Sequence, residues 1–446
     1  MSSSLSTYFF IFYILSFLLV VLPPVVTCIA SSEGRLIVKL VHIDSPASPY
    51  RRKYDSPEHR DKIWTQLAAS RLLQIYHHQV AKKEATDDPP INPYSPRLSL
   101  DPSGVFLVSL GVGTPVKPQL LAMDTGSSVT WVTCVASPFQ AGDYSYLKST
   151  TFMRVTCADP DCVPYGAYCA YPADECPFTL KYMSSGLING IFVKDTLTFS
   201  ENLKVPNMMF GCGFPADAPI REDFTGTGVT GLSNHPVYSM ATQFGSVFSY
   251  CIGNMHDPSY GFNTLILNEG LLLGNSTPIL NIISKNYVNL KSITVRGEVL
   301  DINPIIFDRD ISHGGTIMDS SSAKILLADD AYNALREKLK QIMAPASAEA
   351  MCFYNLQPTQ VPEVQFIFEQ GAKLSLGMEA LFSPGQSTPN VQCFNGVKPT
   401  SVTLEELLVR NLTLIGINAQ QFHNIGYDYT TGKMYISKTD CDDLPL

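Results

Sequence analysis

Short apolar runs separated by polar turn residues recur along the chain and predict a structure made mainly of β-strands. The segments Val105 to Val112, Thr179 to Phe199 and Val288 to Val295 contain many β-branched and aromatic residues, and Gly, Pro, Asn and Ser lie between such runs. Helical spacing is evident from Ser56 onward and from Asp329 to Ile342. We therefore expect a mainly β protein with few helices.

Two of the apolar runs end alike, with an Asp, small hydroxyl residues and a tight polar turn. They are Leu120 to Ser128 and Gly315 to Ser322. A second apolar run containing Gly follows each of them at a similar distance, Val229 to Leu232 and Leu414 to Ile417. A chain of 446 residues also exceeds the size at which a single core keeps growing. The parallel order predicts an internal duplication into two packed lobes.

The N-terminal end of the chain has a different pattern. Residues 8–22 are almost wholly apolar, and small residues lie near position 30, which predicts a cleaved signal peptide over residues 1–30. The residues before the apolar run include no Lys or Arg, so an uncleaved signal anchor is the alternative.

Residues 31–100 are predicted to form a removable prosegment. They contain a basic cluster, Arg51 to Lys53, and a helix that begins at Ser56-Pro57-Glu58, where a cap residue precedes Pro and an acidic residue. The apolar stripe of this helix consists of Ile63, Leu67, Leu72 and Ile75. A solvated N-terminal extension is the alternative. The N-terminal lobe is then expected over residues 101–280 and the C-terminal lobe over residues 281–446.

Composition and cysteine content argue against some classes of partner and site. With 45% hydrophobic and 16% charged residues the chain is expected to be globular, and its net charge of −9 argues against a nucleic-acid partner. Removal of Cys28 with the signal leaves ten cysteines without zinc-ligand spacing, which predicts disulfides and no metal site. Four of them are expected to staple their own segment: Cys157, Cys162, Cys169 and Cys176. The sequons at Asn275 and Asn411 are candidate glycosylation sites.

Asp124 and Asp319, one in each repeat, are the candidate catalytic residues. Two carboxylates held close together cannot both ionise easily, so the pair shares one proton. The ionised carboxylate can then take a proton from water while the protonated one donates to a peptide carbonyl. This chemistry needs no cofactor.

Hydroxyl residues lie next to both candidate carboxylates. Thr125 and Ser320 are expected to brace the two loops against each other through hydrogen bonds. Ser127 and Ser322, each three positions beyond its Asp, are expected to donate to the carboxylates and orient them. The sequence thus predicts an acid–base site with supporting residues.

The residues around Asp124 resemble those of a known family. Asp124 to Ser128, with Gly126 inside it and Trp131 after it, resembles the first active-site motif of the pepsin-like aspartic proteases. The wider chain, over about residues 36–441, resembles their plant nepenthesin-like branch. Further matching segments are Leu40 to Pro46, Phe210 to Gly213, Phe248 to Cys251, the helix after Asp319, and Ile415 to Asp428 with Cys441.

The resemblance implies a bilobal pepsin-like acid protease fold, with a six-stranded base and a substrate cleft between two β-rich lobes. It implies that Asp124 and Asp319 are the catalytic pair and that a polypeptide substrate binds in the cleft. It maps the flap tyrosine onto Tyr182, with Trp131 donating to its hydroxyl; a plain core aromatic is the alternative for Tyr182. It further implies a monomer without cofactor, secreted or delivered to the vacuole, with no membrane partner after signal removal.

The resemblance also implies disulfide pairs. Cysteines that relatives carry just beyond Cys134 are missing, so Cys134 is expected to pair differently from its counterparts, with Cys212. The three implied pairs are Cys134–Cys212, Cys251–Cys441 and Cys352–Cys393.

Ser321 stands where the family has Gly in the second motif. A left-handed backbone at this position would cost Ser about 1–2 kcal/mol, and a displaced Asp319 would cost far more in rate. The flap tip, Tyr182 to Gly186, also lacks the usual Asp-Gly pair. Two hypotheses follow. Retention of both Asp residues favours an acid endopeptidase made as a zymogen, whereas Ser321 and the altered flap favour a non-catalytic member of the fold that binds or inhibits another protein.

Overall fold

Strands far outnumber helices in this protein, which we describe from a computed structural model. The described residues are 34–87, 97–99, 104–135, 144–163, 165–182, 186–200, 202–215, 226–282, 285–308, 314–345, 351–385, 390–402, 409 and 411–446. The signal peptide predicted for residues 1–30 lies outside them. From Arg35 to Leu446 the described residues form one compact unit.

The strands of the N-terminal part are β1 (Leu36–His42), β2 (Arg97–Ser99), β3 (Phe106–Val112), β4 (Lys117–Asp124), β5 (Trp131–Thr133), β6 (Met153–Arg154), β7 (Pro177–Tyr182), β8 (Gly186–Ser200), β9 (Leu203–Pro215), β10 (Gly228–Gly231), β11 (Val247–Ile252), β12 (Thr264–Leu267) and β13 (Asn275–Pro278). Those of the C-terminal part are β14 (Leu280–Ile282), β15 (Lys285–Val288), β16 (Leu290–Val295), β17 (Glu298–Val299), β18 (Gly315–Met318), β19 (Ile325–Leu327), β20 (Cys352–Tyr354), β21 (Val364–Phe368), β22 (Lys373–Leu376), β23 (Ser383–Pro384), β24 (Val391–Cys393), β25 (Val397–Pro399), β26 (Leu412–Ile415), β27 (His423–Asp428) and β28 (Lys433–Lys438).

Helices are few, as the sequence pattern predicts. They are α1 (Pro57–Asp87), α2 (Met240–Gln243), α3 (Asp329–Met343), α4 (Met378–Leu381) and α5 (Ile417–Gln420). The two helices predicted from sequence are confirmed as α1 and α3, and the Ser56 hydroxyl accepts the His59 N–H at 3.1 Å in the first turn of α1. Within the described residues, no helix combines the length and the apolar character that a membrane crossing requires.

The strands form one large sheet and three smaller ones. The large sheet has the order β13-β28-β27-β11-β12-β1-β3-β4-β10-β5-β9-β8-β7-β2, with β6 beside β8. The hairpin predicted over residues 179–199 is confirmed as β7 and β8, which pair from Pro177–Ile191 to Tyr182–Gly186. The smaller sheets have the orders β14-β15-β18-β26-β19-β25, β17-β16-β21-β22 and β20-β24-β23. The prediction of a mainly β fold is therefore confirmed.

The internal repeat seen in the sequence has a structural counterpart. Strand β4, which ends in Asp124, pairs in parallel with β10, so that Gly231 lies opposite Asp124. Strand β18, which precedes Asp319, pairs in parallel with β26, with Met318 opposite Ile415. Each Asp thus lies at the end of a buried strand, and that strand pairs with the second apolar run of the same half of the chain.

Residues 35–87, which we call the N-terminal segment, are part of the packed structure. Strand β1 lies between β12 and β3 in the large sheet. Helix α1 buries Ala68, Leu72 and Ile75 against side chains of the six-stranded sheet, among them Ile317 and Leu414. Burial of these apolar side chains stabilises the attachment of the segment.

The described residues contain five disulfides, which include the three pairs that the resemblance implies. The four clustered cysteines pair locally. The bonds join Cys134 to Cys212, Cys157 to Cys169, Cys162 to Cys176, Cys251 to Cys441 and Cys352 to Cys393. The Cys251–Cys441 bond ties β11 to the C-terminal end of the chain, 190 residues away in sequence.

Candidate active site

The structure brings Asp124 and Asp319 together at the ends of β4 and β18. Both side chains are buried, with exposed fractions of 0% and 2%. One nitrogen atom, Nη2 of Arg71, donates to Oδ1 of Asp124 at 2.6 Å and to Oδ1 of Asp319 at 3.0 Å. Because both carboxylates bind the same nitrogen, they face each other across it.

The loops that carry the two carboxylates are braced by a reciprocal pair of hydrogen bonds. The Thr125 N–H donates to Ser320 Oγ at 3.0 Å, and the Ser320 N–H donates to Thr125 Oγ1 at 3.2 Å. The Ser320 hydroxyl also donates to the carbonyl of Met123 at 3.3 Å. All of these groups are buried, so the contact fixes one loop against the other in a water-poor environment.

Asp124 is oriented by its own loop. The Gly126 N–H donates to Asp124 Oδ1 at 2.7 Å, and the Ser127 hydroxyl donates to Oδ2 at 2.6 Å. A Cβ atom added to Gly126 would lie 2.7 Å from Arg71 Nη2. The absence of a side chain at Gly126 therefore makes room for the guanidinium.

Asp319 is held differently. The Ser321 N–H donates to Oδ1 at 3.3 Å, and the Nε of Arg71 donates to Oδ2 at 3.0 Å. The Ser322 hydroxyl, expected to orient Asp319, instead donates to the Lys324 carbonyl at 3.4 Å. The bond from Arg71 explains the difference. Arg71 Nε donates to Oδ2 of Asp319, and the equivalent oxygen of Asp124 accepts the Ser127 hydroxyl.

Ser321 does not have a left-handed backbone. Its φ is absent from the positive values found among the described residues, and that of Gly126 is absent as well. Ser321 is fully buried and keeps its N–H bond to Asp319. The strain expected for Ser in a left-handed conformation therefore does not arise here.

Arg71, which sequence reasoning missed, is the central residue of the site. It lies on α1 and is 1% exposed, three residues after Ala68 and four before Ile75, on the face of the helix that packs against the sheet. A basic residue at helical spacing within an apolar stripe was the signal in the sequence. Burial disfavours the charged guanidinium, but the charges of Asp124 and Asp319 outweigh it and raise the pKa of Arg71 above its ordinary value.

The charge of Arg71 also acts on the carboxylates. Burial by itself raises the pKa of Asp124, yet the charge of Arg71, its hydrogen bond and the charge of Lys285 together hold this pKa below its ordinary value. Asp124 is therefore ionised in this state. With the guanidinium bonded to both carboxylates, the place between them is taken.

Lys285 is a second buried cation in the site, also missed from the sequence. It begins β15, is 5% exposed, and its Nζ donates to the carbonyl of Gly126. The next residue, Asn286, donates from Nδ2 to the Thr125 carbonyl at 3.2 Å and accepts the Tyr429 hydroxyl on Oδ1 at 3.2 Å. The start of β15 thus supports the loop that follows Asp124.

A second contact region anchors the N-terminal segment near the start of α1. Asp61 forms ion pairs with the buried Lys324 and, at 3.6 Å, with Lys398. The Arg60 guanidinium lies 4.2 Å from the Trp64 ring centroid and 3.3 Å from His256 Nδ1.

Two buried histidines belong to this second region. Burial, and then the charge of Arg60, lowers the pKa of His42 to about 3 and that of His256 to about 4. Both histidines are therefore neutral in the folded protein at neutral pH.

Tyr182 and Trp131, the predicted flap pair, are in contact. The Trp131 indole Nε1 donates to the Tyr182 hydroxyl at 2.9 Å, and Tyr182 is 3% exposed at the end of β7. The tip of the hairpin, residues 183–185, lies outside the described residues. The contact agrees with the arrangement that the resemblance implies.

Other candidate residues lie away from this site. Asn275 is exposed on β13, and Asn411 is half-buried just before β26. The sulfur atoms of Cys157, Cys162 and Cys169 lie within 4.8 Å of one another. All three are in disulfides, however, and so lack the thiolate that binds a metal.

Comparisons with known proteins agree with this architecture. The profile of a family described as "Xylanase inhibitor N-terminal" matches residues 106–267, and that of "Xylanase inhibitor C-terminal" matches residues 286–438. Together the two profiles span most of the chain.

Two curated relatives from plants are named as proteases. The aspartyl protease UND of Arabidopsis thaliana is 28% identical over 354 residues, which cover 76% of this chain and 85% of the relative. The aspartic proteinase nepenthesin-2 of Nepenthes gracilis is 31% identical over 313 residues, which cover 64% and 68%. Among solved structures, edgp has a TM-score of 0.59 at 16% identity and covers 76% of this chain and 96% of its own. This likeness shows a shared two-lobed, β-rich fold.

Proposed function

Because the chain belongs to the pepsin-like aspartic proteases, we propose that it is an endopeptidase that hydrolyses peptide bonds at acidic pH. The observation that carries the proposal is the pairing of Asp124 and Asp319 around one nitrogen of Arg71, at 2.6 and 3.0 Å. Burying two carboxylates is costly, and such groups are typical of functional sites. The family membership and the bilobal β-rich fold agree with the resemblance found in the sequence.

In the proposed reaction a water molecule and a peptide carbonyl take the place that the guanidinium occupies. The two carboxylates share one proton. The ionised carboxylate accepts a proton from the water, whose oxygen attacks the carbonyl carbon, while the protonated carboxylate donates to the carbonyl oxygen. A proton is then returned to the leaving amine nitrogen as the C–N bond breaks. The Thr125–Ser320 contact would keep both carboxylates in position throughout.

We further propose that the protein is made as a zymogen and that the N-terminal segment is its prosegment. Arg71 bonds to both carboxylates and so would exclude a polypeptide from the cleft. Acid would weaken this contact, because protonation of Asp124 removes one partner of the buried guanidinium. The substrate would then reach the cleft beside Tyr182.

Export to the cell exterior or to the vacuole is part of the proposal. The predicted signal peptide, the five disulfides of the described residues and the exposed sequon at Asn275 support it. Expression of the full chain in plant cells, followed by fractionation of apoplast and vacuole, tests it. Retention of the chain in the cytosol would contradict it.

The central test is acid incubation of the refolded full chain with an unfolded protein substrate. We expect new peptides by mass spectrometry, loss of the N-terminal segment from the chain, and inhibition of cleavage by a pepstatin-type inhibitor. The Asp124→Asn variant should give no cleavage. The exposed Asp301→Asn variant, which makes the same chemical change elsewhere, should cleave like the native chain.

A non-catalytic binding protein is the second candidate. It is favoured by the inhibitor description of the two matching families. No cleavage by the native chain, with cleavage gained in Ser321→Gly, would overturn the enzyme proposal and support this one. A binding assay with xylanase would then be the next measurement.

A further inference from the structure

A second cation at the candidate active site does not belong to the N-terminal segment. Lys285 lies at the start of β15, in the C-terminal part of the chain. The antiparallel register pairs Tyr287 with Ile317, so Lys285, two residues before Tyr287, comes level with Asp319, two residues after Ile317. The site therefore contains one cation on the N-terminal segment, Arg71, and another, Lys285, outside it.

The position of the Lys285 ammonium is fixed by a hydrogen bond. Its Nζ donates to the Gly126 carbonyl, and a Cβ atom built on Gly126 would lie 3.5 Å from this Nζ and 3.2 Å from Asp124 Oδ1. The neighbouring Asn286 holds the same loop through the Thr125 carbonyl. The ammonium is thus tied to the loop that orients Asp124.

Three charged groups act on Lys285, one from each element around it. Burial and then the charge of Arg71, from α1, lower the pKa of Lys285 to about 7, whereas Asp124, after β4, and Asp319, after β18, raise it. Arg71 and Lys285 therefore compete for the same two carboxylates. Departure of Arg71 removes the repulsion and keeps the attraction, so Lys285 becomes more firmly cationic in the processed protein.

We propose that Lys285 is a positioning residue that supplies the permanent positive charge of the site after Arg71 leaves, and that it sets the acidic range in which the Asp124–Asp319 pair holds a single proton. This inference rests on the proposed function, because the singly protonated pair is the form that would act on a peptide. A nearby cation favours the ionised pair. The second proton is therefore lost at a lower pH, which confines activity to more acidic conditions.

The pH dependence of kcat/KM of the acid-processed protein tests the proposal. Replacing Lys285 with Gln keeps an N–H donor for Gly126 but removes the charge. We expect the alkaline limb of the profile to move up by about one to three pH units, as for loss of a charge at close range. Lys285→Arg should retain the native profile, and so should Lys291→Met, which removes an exposed lysine from β16. An unshifted limb in Lys285→Gln would overturn the proposal.

A measurement without catalysis separates this proposal from the enzyme proposal. In the full chain carrying Arg71→Met, the carboxyl ¹³C signals of labelled Asp124 and Asp319 can be titrated with and without Lys285→Gln. We expect both titration midpoints to rise when the lysine charge is removed. A rise without any proteolysis would uphold the role of Lys285 and contradict the enzyme proposal. Proteolysis without a rise would contradict the role of Lys285 alone. If Lys285→Gln fails to fold, Lys285→Met gives the same comparison.

Discussion

The two halves of the candidate site share a sequence pattern but hold their carboxylates differently. Asp124 is held by its own loop, through the Gly126 N–H at 2.7 Å and the Ser127 hydroxyl at 2.6 Å. Asp319 receives one longer bond from its own loop, at 3.3 Å, while Arg71 donates to both of its oxygens. Arg71 binds both carboxylates, but Asp124 also has two donors from its own loop whereas Asp319 has one.

This difference shows that a repeated motif does not guarantee repeated geometry. The second half depends on Arg71, which is 248 positions away from Asp319 in sequence. If the proposed processing removes Arg71, Asp319 loses two donors at once. The Ser322 hydroxyl, now bonded to the Lys324 carbonyl, lies three residues after Asp319, as Ser127 does after Asp124, and has the chemistry to replace one of them.

Loss of either carboxylate should have the largest effect on activity. Asp124→Asn and Asp319→Asn each remove one of the two groups that share the proton. General acid–base chemistry contributes about 10²–10⁴-fold, so kcat/KM on an unfolded substrate should fall by at least that factor. Retained activity in either variant would mean that the two halves do not act as a pair.

Replacement of Arg71 should lower the stability of the full chain most. In Arg71→Met the two buried carboxylates lose their main cation, and breaking a buried ion pair costs about 3–5 kcal/mol. We expect the free energy of unfolding by urea at neutral pH to fall by that amount. Lys62→Met, an exposed change on the same helix, should leave it unchanged. An unchanged value in Arg71→Met would show that the second half does not depend on α1.

The full chain should also lose stability as the pH falls. The pKa of Asp124 is lowered in the folded state, so its contribution is present above the unfolded pKa and is lost as pH drops through the folded one. The depressed pKa values of His42 and His256, about 3 and 4, have the same sign, beginning below their unfolded value. Urea midpoints across the acidic range should therefore decline, and less steeply in Arg71→Met. A midpoint that rises with acid would contradict this sign.

Ser127 and Ser322 should contribute differently to the free energy of unfolding of the full chain. Ser127→Ala removes a 2.6 Å bond to an ionised carboxylate, worth about 1.5–3 kcal/mol. Ser322→Ala removes a 3.4 Å bond to a carbonyl, worth about 1 kcal/mol or less. Chemical denaturation of both variants measures the difference. Equal losses of stability would indicate that the Ser322 hydroxyl bonds to Asp319 as Ser127 bonds to Asp124, and would contradict the difference between the two halves.

Ser321→Gly should have the smallest effect. The Ser321 N–H already reaches Asp319, and its backbone is not left-handed, so Gly relieves no strain. We expect the free energy of unfolding to fall by about 0.5–1 kcal/mol, because Gly has more conformational freedom than Ser in the unfolded chain. Activity should stay within about tenfold of the native value. A gain of a hundredfold would show that the Ser321 side chain displaces Asp319.

The sequence predicted the strands that carry both carboxylates because each ends an apolar run. Strand β4 ends at Asp124 and β18 ends one residue before Asp319, and Thr125 and Ser320 hydrogen-bond to each other between the two loops. The helix beginning at Ser56 was also predicted, since cap and apolar spacing are local signals. Local patterns therefore sufficed where one segment determines its own structure.

Arg71 and Lys285 escaped the sequence reasoning for a physical reason. Their roles depend on long-range packing that places them beside carboxylates from other elements. The partner of Ser322 escaped it too, because a remote guanidinium decides which acceptor its hydroxyl finds. Such choices are settled by tertiary contacts and not by neighbours in sequence.

The place of β1 in the large sheet has a consequence for processing. Residues 36–39 pair with β12, and residues 40–42 pair with β3. Each part of β1 has a different partner, so cutting β1 away would leave unpaired backbone donors and acceptors along β12 and along β3. Such an exposed strand edge accepts an extended peptide by strand addition. Removal of β1 would thus create a peptide-binding edge in the large sheet. The newly made chain end and the detached strand would compete for this edge.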